Sequence, residues 1–389
     1  MMKNGRVSIV NVSILCMVVK NFMETSAAIP SISLIDNLLV ILYIVCVVLL
    51  IIKKKYNVRE LLLIGTISFA LLYTSIVTGY SDPIISFLFI VAIKDKNIDD
   101  IICIIYKYYC AMLAVHIICT IPLALTNSIC MVMHIRGIDR YTLGFIHPNA
   151  AGSKFFTIMM LYLWVKKNKK TNLFLEIIVS TGVYFLCRSR TAYMLSLMTI
   201  FIVYLMKKNN HAIDSLINKL AGVVFPSTAA LIYLLIKLYE TRNPLAVIVN
   251  NALSGRINLA AYALNRVGFT IFGRSIDFYG ALSNYSARYA INDFTFDCIY
   301  SFIFCSMGLV YLGILSVLFL KLASEKLVWI NAAIIVWSLY AVTEVSGLNG
   351  FNLFPIFYLV ILINGKSLKF ENPVKEVEVS DDKRYYSRL

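Results

Sequence analysis

Two arginines one residue apart, Arg188 and Arg190 in the run Cys187-Arg188-Ser189-Arg190-Thr191-Ala192, stand between two apolar segments. In an extended turn such residues project to the same side. Two guanidiniums there can clamp a diphosphate, because the planar fork of N–H donors matches phosphate oxygens two at a time. A second group, Arg140 followed by Gly144-Phe145 and then His147-Pro148-Asn149, leads directly into another apolar segment. Pro148 with Gly144 before it is ordinary helix-start grammar. His147 and Asn149 are polar groups at the edge of an apolar run, where such groups tend to face a polar cavity rather than lipid. The long polar stretch 239–291 holds Arg242, Arg256, Arg266, Arg274 and Arg288 against only Glu240 and Asp277. From Gly255 onward Ile257, Ala261, Leu264, Gly268 and Ile271 recur at helical spacing, which predicts either a helix along a membrane surface or a plain amphipathic connector. The competing reading of these arginines is that they hold lipid headgroups or pair with Glu240, Asp277 and Asp293.

The elements that must position these groups follow from composition. Of 389 residues, 60% are hydrophobic and 15% charged, with a mean hydropathy of +0.79, against about 25% charge in an ordinary soluble domain. That excludes a single water-soluble core. Apolar stretches of roughly 17 to 25 residues, each able to cross ~30 Å of hydrocarbon, recur along the chain, so the expected fold is all-α and polytopic. The formal net charge of +15 sits in short clusters between apolar runs, the pattern of cytoplasmic anchoring rather than of nucleic-acid binding. Nine cysteines lie almost entirely inside apolar runs without a C-x-x-C spacing, and read as small core hydrophobes rather than disulfides or zinc ligands.

Lysine clusters set the topology. Spans are expected at 7–23, 34–52, 61–80, 82–93, 101–122, 144–165, 173–187, 192–206, 216–236, 294–320, 327–342 and 351–363, twelve in all with both ends inside. Lys53, Lys54 and Lys55 mark one cytoplasmic end, and Lys166, Lys167, Lys169 and Lys170 another. Between them the dozen apolar residues 82–93 must cross to keep parity, delivering Lys94 and Lys96 to the cytoplasm. Ser26-Ala27-Ala28 has the small-residue pattern of a signal-peptidase site, so a cleaved leader is the alternative to a retained first span. Residues 1–365 form the transmembrane domain, with a large extracytoplasmic loop at about 239–291, and 366–389 a charged cytoplasmic tail.

This topology separates the basic residues. Of 23 lysines, all but Lys20, Lys107, Lys154 and Lys237 fall on the cytoplasmic side, whereas nine of 13 arginines are exported: Arg136, Arg140, Arg188, Arg190, Arg242, Arg256, Arg266, Arg274 and Arg288. Export of positive charge is opposed during insertion, and the choice of guanidinium over ammonium points to a phosphate or pyrophosphate ligand.

Arg140 with Gly144-Phe145 and His147-Pro148-Asn149 resembles the signature of bacterial polysaccharide polymerases of the Wzy type, within the O-antigen polymerase and ligase superfamily. Ser189-Arg190-Thr191-Ala192 is similar to that family's Ser-Arg-Thr/Ser turn, Ser254-Gly255-Arg256 and Phe272-Gly273 to its large loop, and Asn292-Asp293 before Gly308-Leu309 to the loop's exit. The resemblance covers roughly residues 60–360. It implies a GT-C-like membrane glycosyltransferase in the bacterial plasma membrane, using undecaprenyl-pyrophosphate-linked oligosaccharide at the extracytoplasmic face without cofactor or metal. Flippase and chain-length regulator proteins are the implied partners, and surface polysaccharide the product. A sugar hydroxyl of one lipid-linked unit would attack the anomeric carbon of another chain and expel undecaprenyl pyrophosphate. Leaving-group binding then falls to Arg190, Arg256 and Arg274, followed by Arg188 and Arg140, with Asn149 beside them. The general base would be Asp293 or Asp277, then Glu344, then His147, although each carboxylate could equally be an arginine's salt-bridge partner. The loop lacks the histidine that ligases carry near its end, which favours polymerase over ligase. A lipid-linked oligosaccharide flippase is the rival from another class, and would show inverted repeats or paired broken helices; the sequence has no internal repeat.

Overall fold

The computed structural model describes residues 8–29, 32–94, 96–135, 137–208, 210–276 and 296–344. The expected span 351–363, the tail 366–389 and Arg136 lie outside them, as do Asp277, Arg288, Asn292 and Asp293. The described residues are mostly helical, with 14 α-helices and one two-stranded hairpin. Four helices are long and apolar enough to cross a membrane: α2 (Ser33–Ile52), α3 (Val58–Thr78), α5 (Ile98–Leu125) and α9 (His211–Glu240). Shorter apolar helices accompany them: α1 (Ile9–Met23), α4 (Asp82–Ala92), α7 (Leu173–Cys187), α8 (Arg190–Met206), α13 (Leu309–Ser324) and α14 (Val328–Tyr340). The expectation of an all-α membrane protein holds at this level.

Burial separates helices that face neighbours from those left to lipid. In α2 and α3 only 17% of the most apolar window is buried, whereas Ile14, Met17, Val18 and Phe22 of α1 are fully enclosed. The first helix is therefore part of the core rather than an appendage. Its C-terminal end is laced to the strand-like residues before α6 (Pro148–Val165): Ser26 bridges Phe145, and Ala27 N–H donates to the Gly144 carbonyl at 2.9 Å. Ser26 Oγ lies 2.9 Å from His116 Nδ1, whose Nε2 is 2.9 Å from the Leu143 carbonyl. Within the bundle the buried Lys154 ammonium donates to the Asn21 carbonyl at 2.9 Å and to its side-chain oxygen. These bonds join α6 to α1.

The lysine ends of the helices meet one another. Lys94 Nζ donates to Glu60 Oε2 and to the Lys55 carbonyl, both at 3.0 Å. Although α4 has only 11 residues, ~16 Å of rise against ~30 Å of hydrocarbon, it returns the chain to the end where α3 began. Lys167 Nζ pairs with Asp99 at 2.6 Å, joining the start of α5 to the end of α6, and Lys207 after α8 donates to the Lys169 carbonyl at 2.9 Å.

Two departures from the sequence reading shape the other end. Residues expected as connector form a hairpin, β1 (Val132–Ile135) and β2 (Ile138–Tyr141), which pairs Met133 with Arg140. The expected span 294–320 is a broken helix: α12 (Ile299–Phe302), a wider π turn Ile303–Met307, then α13. Gly308 sits at the break with φ +97 and ψ 158, a conformation essentially reserved for glycine. The stretch 239–291 begins with two helices, α10 (Pro244–Ala252) and α11 (Arg256–Val267). Ile257, Ala261 and Leu264 are buried on α11 as their spacing predicts, but Gly268 ends the helix and Ile271 is exposed.

Candidate functional site

The ends of α6, α7 and α14 and the start of α11 converge with strand β2. Arg140 on β2 donates from Nε to the Cys187 carbonyl at 2.9 Å and from Nη2 to Asn149 Oδ1 at 2.6 Å. One guanidinium thus ties the hairpin to the last residue of α7 and to the first turn of α6. His147 is the N-cap of α6, its Nδ1 accepting the Asn149 N–H at 3.1 Å, a capping bond of the kind that fixes a helix start. Burial and the nearby Arg140 guanidinium hold the imidazole below its ordinary pKa, opposed by the carboxylate of Asp297. Gly152, one turn on, lets the chain approach closely, since a Cβ there would stand 2.6 Å from Ser189 Cβ. Ser153 Oγ is 2.7 Å from the Tyr340 hydroxyl at the end of α14.

Arg256 opens α11 beneath the same region and is 9% exposed. Its Nε donates to the Thr343 carbonyl at 2.8 Å, Nη1 to the Leu253 carbonyl at 3.2 Å, and Nη2 to Glu344 Oε1 at 3.5 Å. Asp297 Oδ2 lies 4.0 Å from Nε. A single guanidinium is therefore flanked by two carboxylates. Burial pushes the Glu344 carboxyl up to about 7, with Arg256 pulling it down and the Asp297 charge adding to the rise. Asp297 acts on both Glu344 and His147, so Arg140, His147, Asn149, Arg256, Asp297 and Glu344 make one electrostatic neighbourhood. It offers a polar floor with guanidinium donors, one carboxyl that titrates near neutrality, and a second carboxylate that is 41% exposed.

The remaining arginines differ. Arg188 caps α7 in a left-handed conformation, φ 54, and its guanidinium lies over the rings of Tyr184 and Phe185 at 5.8 and 5.4 Å. Arg190 is the exposed first residue of α8. Arg274 is turned inward and away from the cluster: it donates to the carbonyls of Val267 and Gly268, the latter at 2.7 Å, and to that of Cys305 at 3.2 Å. Its fork holds the end of α11 against the broken helix. The first-choice bases Asp277 and Asp293 lie outside the described residues. Asp297 was absorbed into an expected span; an acid inside an apolar run is the signal that marks it. Ser153 and Tyr340 carry no such signal, being ordinary helix residues until packing joins them. Among the described residues no group of three His, Cys, Asp or Glu side chains is placed to hold a metal ion. No protein family, curated protein or solved structure matches the chain.

Proposed function

We propose that this chain is a membrane glycosyltransferase that polymerises oligosaccharide units carried on undecaprenyl pyrophosphate, at the extracytoplasmic face of a bacterial plasma membrane. The reading takes the twelve-span topology and the GT-C-like architecture with it, and puts the arginine end of the bundle outside. The observation that supports it most is the flanking of buried Arg256 by Glu344 and Asp297 beside Arg140, His147 and Asn149. Transfer requires stabilisation of the negative charge that grows on the leaving pyrophosphate, and removal of a proton from the attacking sugar hydroxyl.

Arg256 gives three of its donor directions to the protein, which leaves two N–H groups for a phosphate oxygen. Arg140 and Arg190 complete the grip on the pyrophosphate from the α6 and α8 side. The base is Glu344, whose carboxyl titrates near neutrality. His147, held neutral, orients the α6 terminus and accepts from its backbone. A flippase would need a discontinuous helix whose freed carbonyls face substrate. Here the carbonyls freed at the break are taken by the chain itself: Phe304 accepts from Thr270 N–H at 3.0 Å, Ser306 from Arg274 N–H at 2.8 Å, and Cys305 from the Arg274 side chain.

Purified protein in nanodiscs, given lipid-linked repeat units, tests the reading. Wild type should extend chains, and Arg256→Ala should lose at least about a hundredfold in rate at unchanged protein level, the scale of removing one oriented donor to a developing oxyanion. Arg256→Lys should also be impaired, because the fork is lost. Full polymer length in both variants would remove the proposed role.

A further inference from the structure

The twelve-span reading leaves residues 268–274 in water, inside the outer loop, but the structure lays them against the sides of two apolar helices. The run Gly268-Phe269-Thr270-Ile271-Phe272-Gly273 carries no charge. Its Phe269, Ile271 and Phe272 are 43, 61 and 55% exposed, a density of open apolar surface that a loop in water does not ordinarily carry. The Phe272 ring meets Tyr73 of α3 edge to face, centroids 6.2 Å apart, and Phe269 meets Tyr233 of α9 at 5.3 Å. Both partners stand among lipid-facing side chains: Phe69, Leu72 and Ile76 of α3 and Leu231 and Leu234 of α9 are each more than half exposed.

Depth and backbone bonding identify what covers this surface. Tyr73 precedes Thr78, the last residue of α3, by ~8 Å of helix rise, so Phe272 lies below the level at which α3 ends. On α9 the Lys237 ammonium sits over the Tyr233 ring at 5.8 Å, the posture of a lysine stem lying on apolar surface with its head at the polar boundary, which puts Phe269 close beneath that boundary. Hydrocarbon tolerates irregular backbone only where its polar groups are bonded within the protein. Here the Gly268 carbonyl accepts from the Arg274 guanidinium at 2.7 Å, and Thr270 N–H donates to the Phe304 carbonyl at 3.0 Å. The Thr270 and Ile271 carbonyls accept from Leu309 and Val310 N–H at 2.9 and 3.0 Å, and Gly273 N–H donates to Thr270 Oγ1 at 3.1 Å. The flanking charges stay out of the apolar tip: Arg266 is exposed near the end of α11, and Arg274 turns its donors to carbonyls. Gly273 then carries the chain back past the end of α3, where a Cβ would stand 3.0 Å from Thr78 Cγ2.

We propose that residues 269–272 are a wedge sunk into the bilayer, in the leaflet at the arginine end of the bundle, with phospholipid acyl chains covering Phe269, Ile271 and Phe272. The stretch after α11 is then anchored in the membrane instead of standing free in water. None of this rests on the glycosyltransferase reading. Full-length protein in liposomes that contain a phosphatidylcholine with a diazirine on one acyl chain is irradiated, and in a parallel sample is exposed to hydroxyl radicals generated in the water. Tyr141 is the aqueous control, since it is 44% exposed and shares its hairpin face with the exposed His134–Asp139 pair. Lipid adducts should fall on 269–272 as they do on the α3 peptide holding Phe69 and Ile76, and radicals should oxidise Tyr141 but spare Phe269 and Phe272. Ile271→Asp should lower the thermal midpoint in nanodiscs, because it places a carboxylate in hydrocarbon, whereas Val132→Asp on the hairpin should change it little. Oxidation of Phe269 and Phe272 to the extent of Tyr141 without lipid adducts, or an Ile271→Asp midpoint no lower than that of Val132→Asp, would overturn the proposal. So would a segment shielded from both reagents, as a second copy seated on it would make it.

Discussion

Glu344 is the site group whose titration the proposed transfer reaction would report. Burial raises the Glu344 carboxyl to about 7 and the guanidinium opposes the rise, so the ionised form that can accept a proton becomes populated only as pH climbs through neutrality. His147 is shifted the other way, below its ordinary value, and is already neutral there, so it does not supply a limb near 7. Transfer rate should therefore increase across about pH 6 to 8, and Glu344→Gln should remove that limb together with most of the rate. A profile in Glu344→Gln identical to wild type would assign the base elsewhere. Arg140, His147 and Asn149 were legible in sequence because a helix start has local grammar and polar groups at its edge stand out. Asp297 carried only the signal of an acid in an apolar run, because its meaning depends on Arg256, more than forty residues away, and on a helix that does not continue as its apolar composition implies. Arg274 shows the converse: its type fits a phosphate, but its donors serve carbonyls of α11 and the broken helix.

The broken helix is the element on which the lower half of the site leans. Residues 270–274 enter between α12 and α13, with Leu309 N–H donating to the Thr270 carbonyl at 2.9 Å and Val310 N–H to that of Ile271 at 3.0 Å. A Cβ at Gly308 would stand 2.5 Å from the Ile271 oxygen, so Gly308→Ala adds a clash to a backbone conformation that costs about 1–3 kcal/mol for other residues. We expect it to lower the thermal midpoint measurably in detergent and to reduce activity with it, whereas Gly313→Ala, with open space around its site, should do neither. Equal midpoints for the two variants would mean that the inserted segment does not hold the break. The long spans were readable from apolar length alone. The break was not, since the residues that satisfy its freed carbonyls come from a distant part of the chain, and neither was the hairpin, whose strands of four residues carry too short an alternation to stand out.

At the scale of the molecule, three lysines that join helix ends and the two site arginines occupy different ends. Lys94, Lys167 and Lys207 bind carboxylates and carbonyls where helices meet at one end, while Arg140 and Arg256 organise the other. The first helix contacts this arrangement through Asn21 and Ser26. The lysine clusters that end the helices stood out in the sequence; the placing of Arg140 and Arg256 in one electrostatic neighbourhood required the fold. What the cell accumulates without this protein tests the transferase role most directly. Deleting the gene and analysing lipid-linked glycan by mass should reveal single repeat units on the outer face, with polymer restored by wild type but not by Arg256→Ala. Long polymer that stays lipid-linked and unattached, or single units stranded on the inner face, would contradict it.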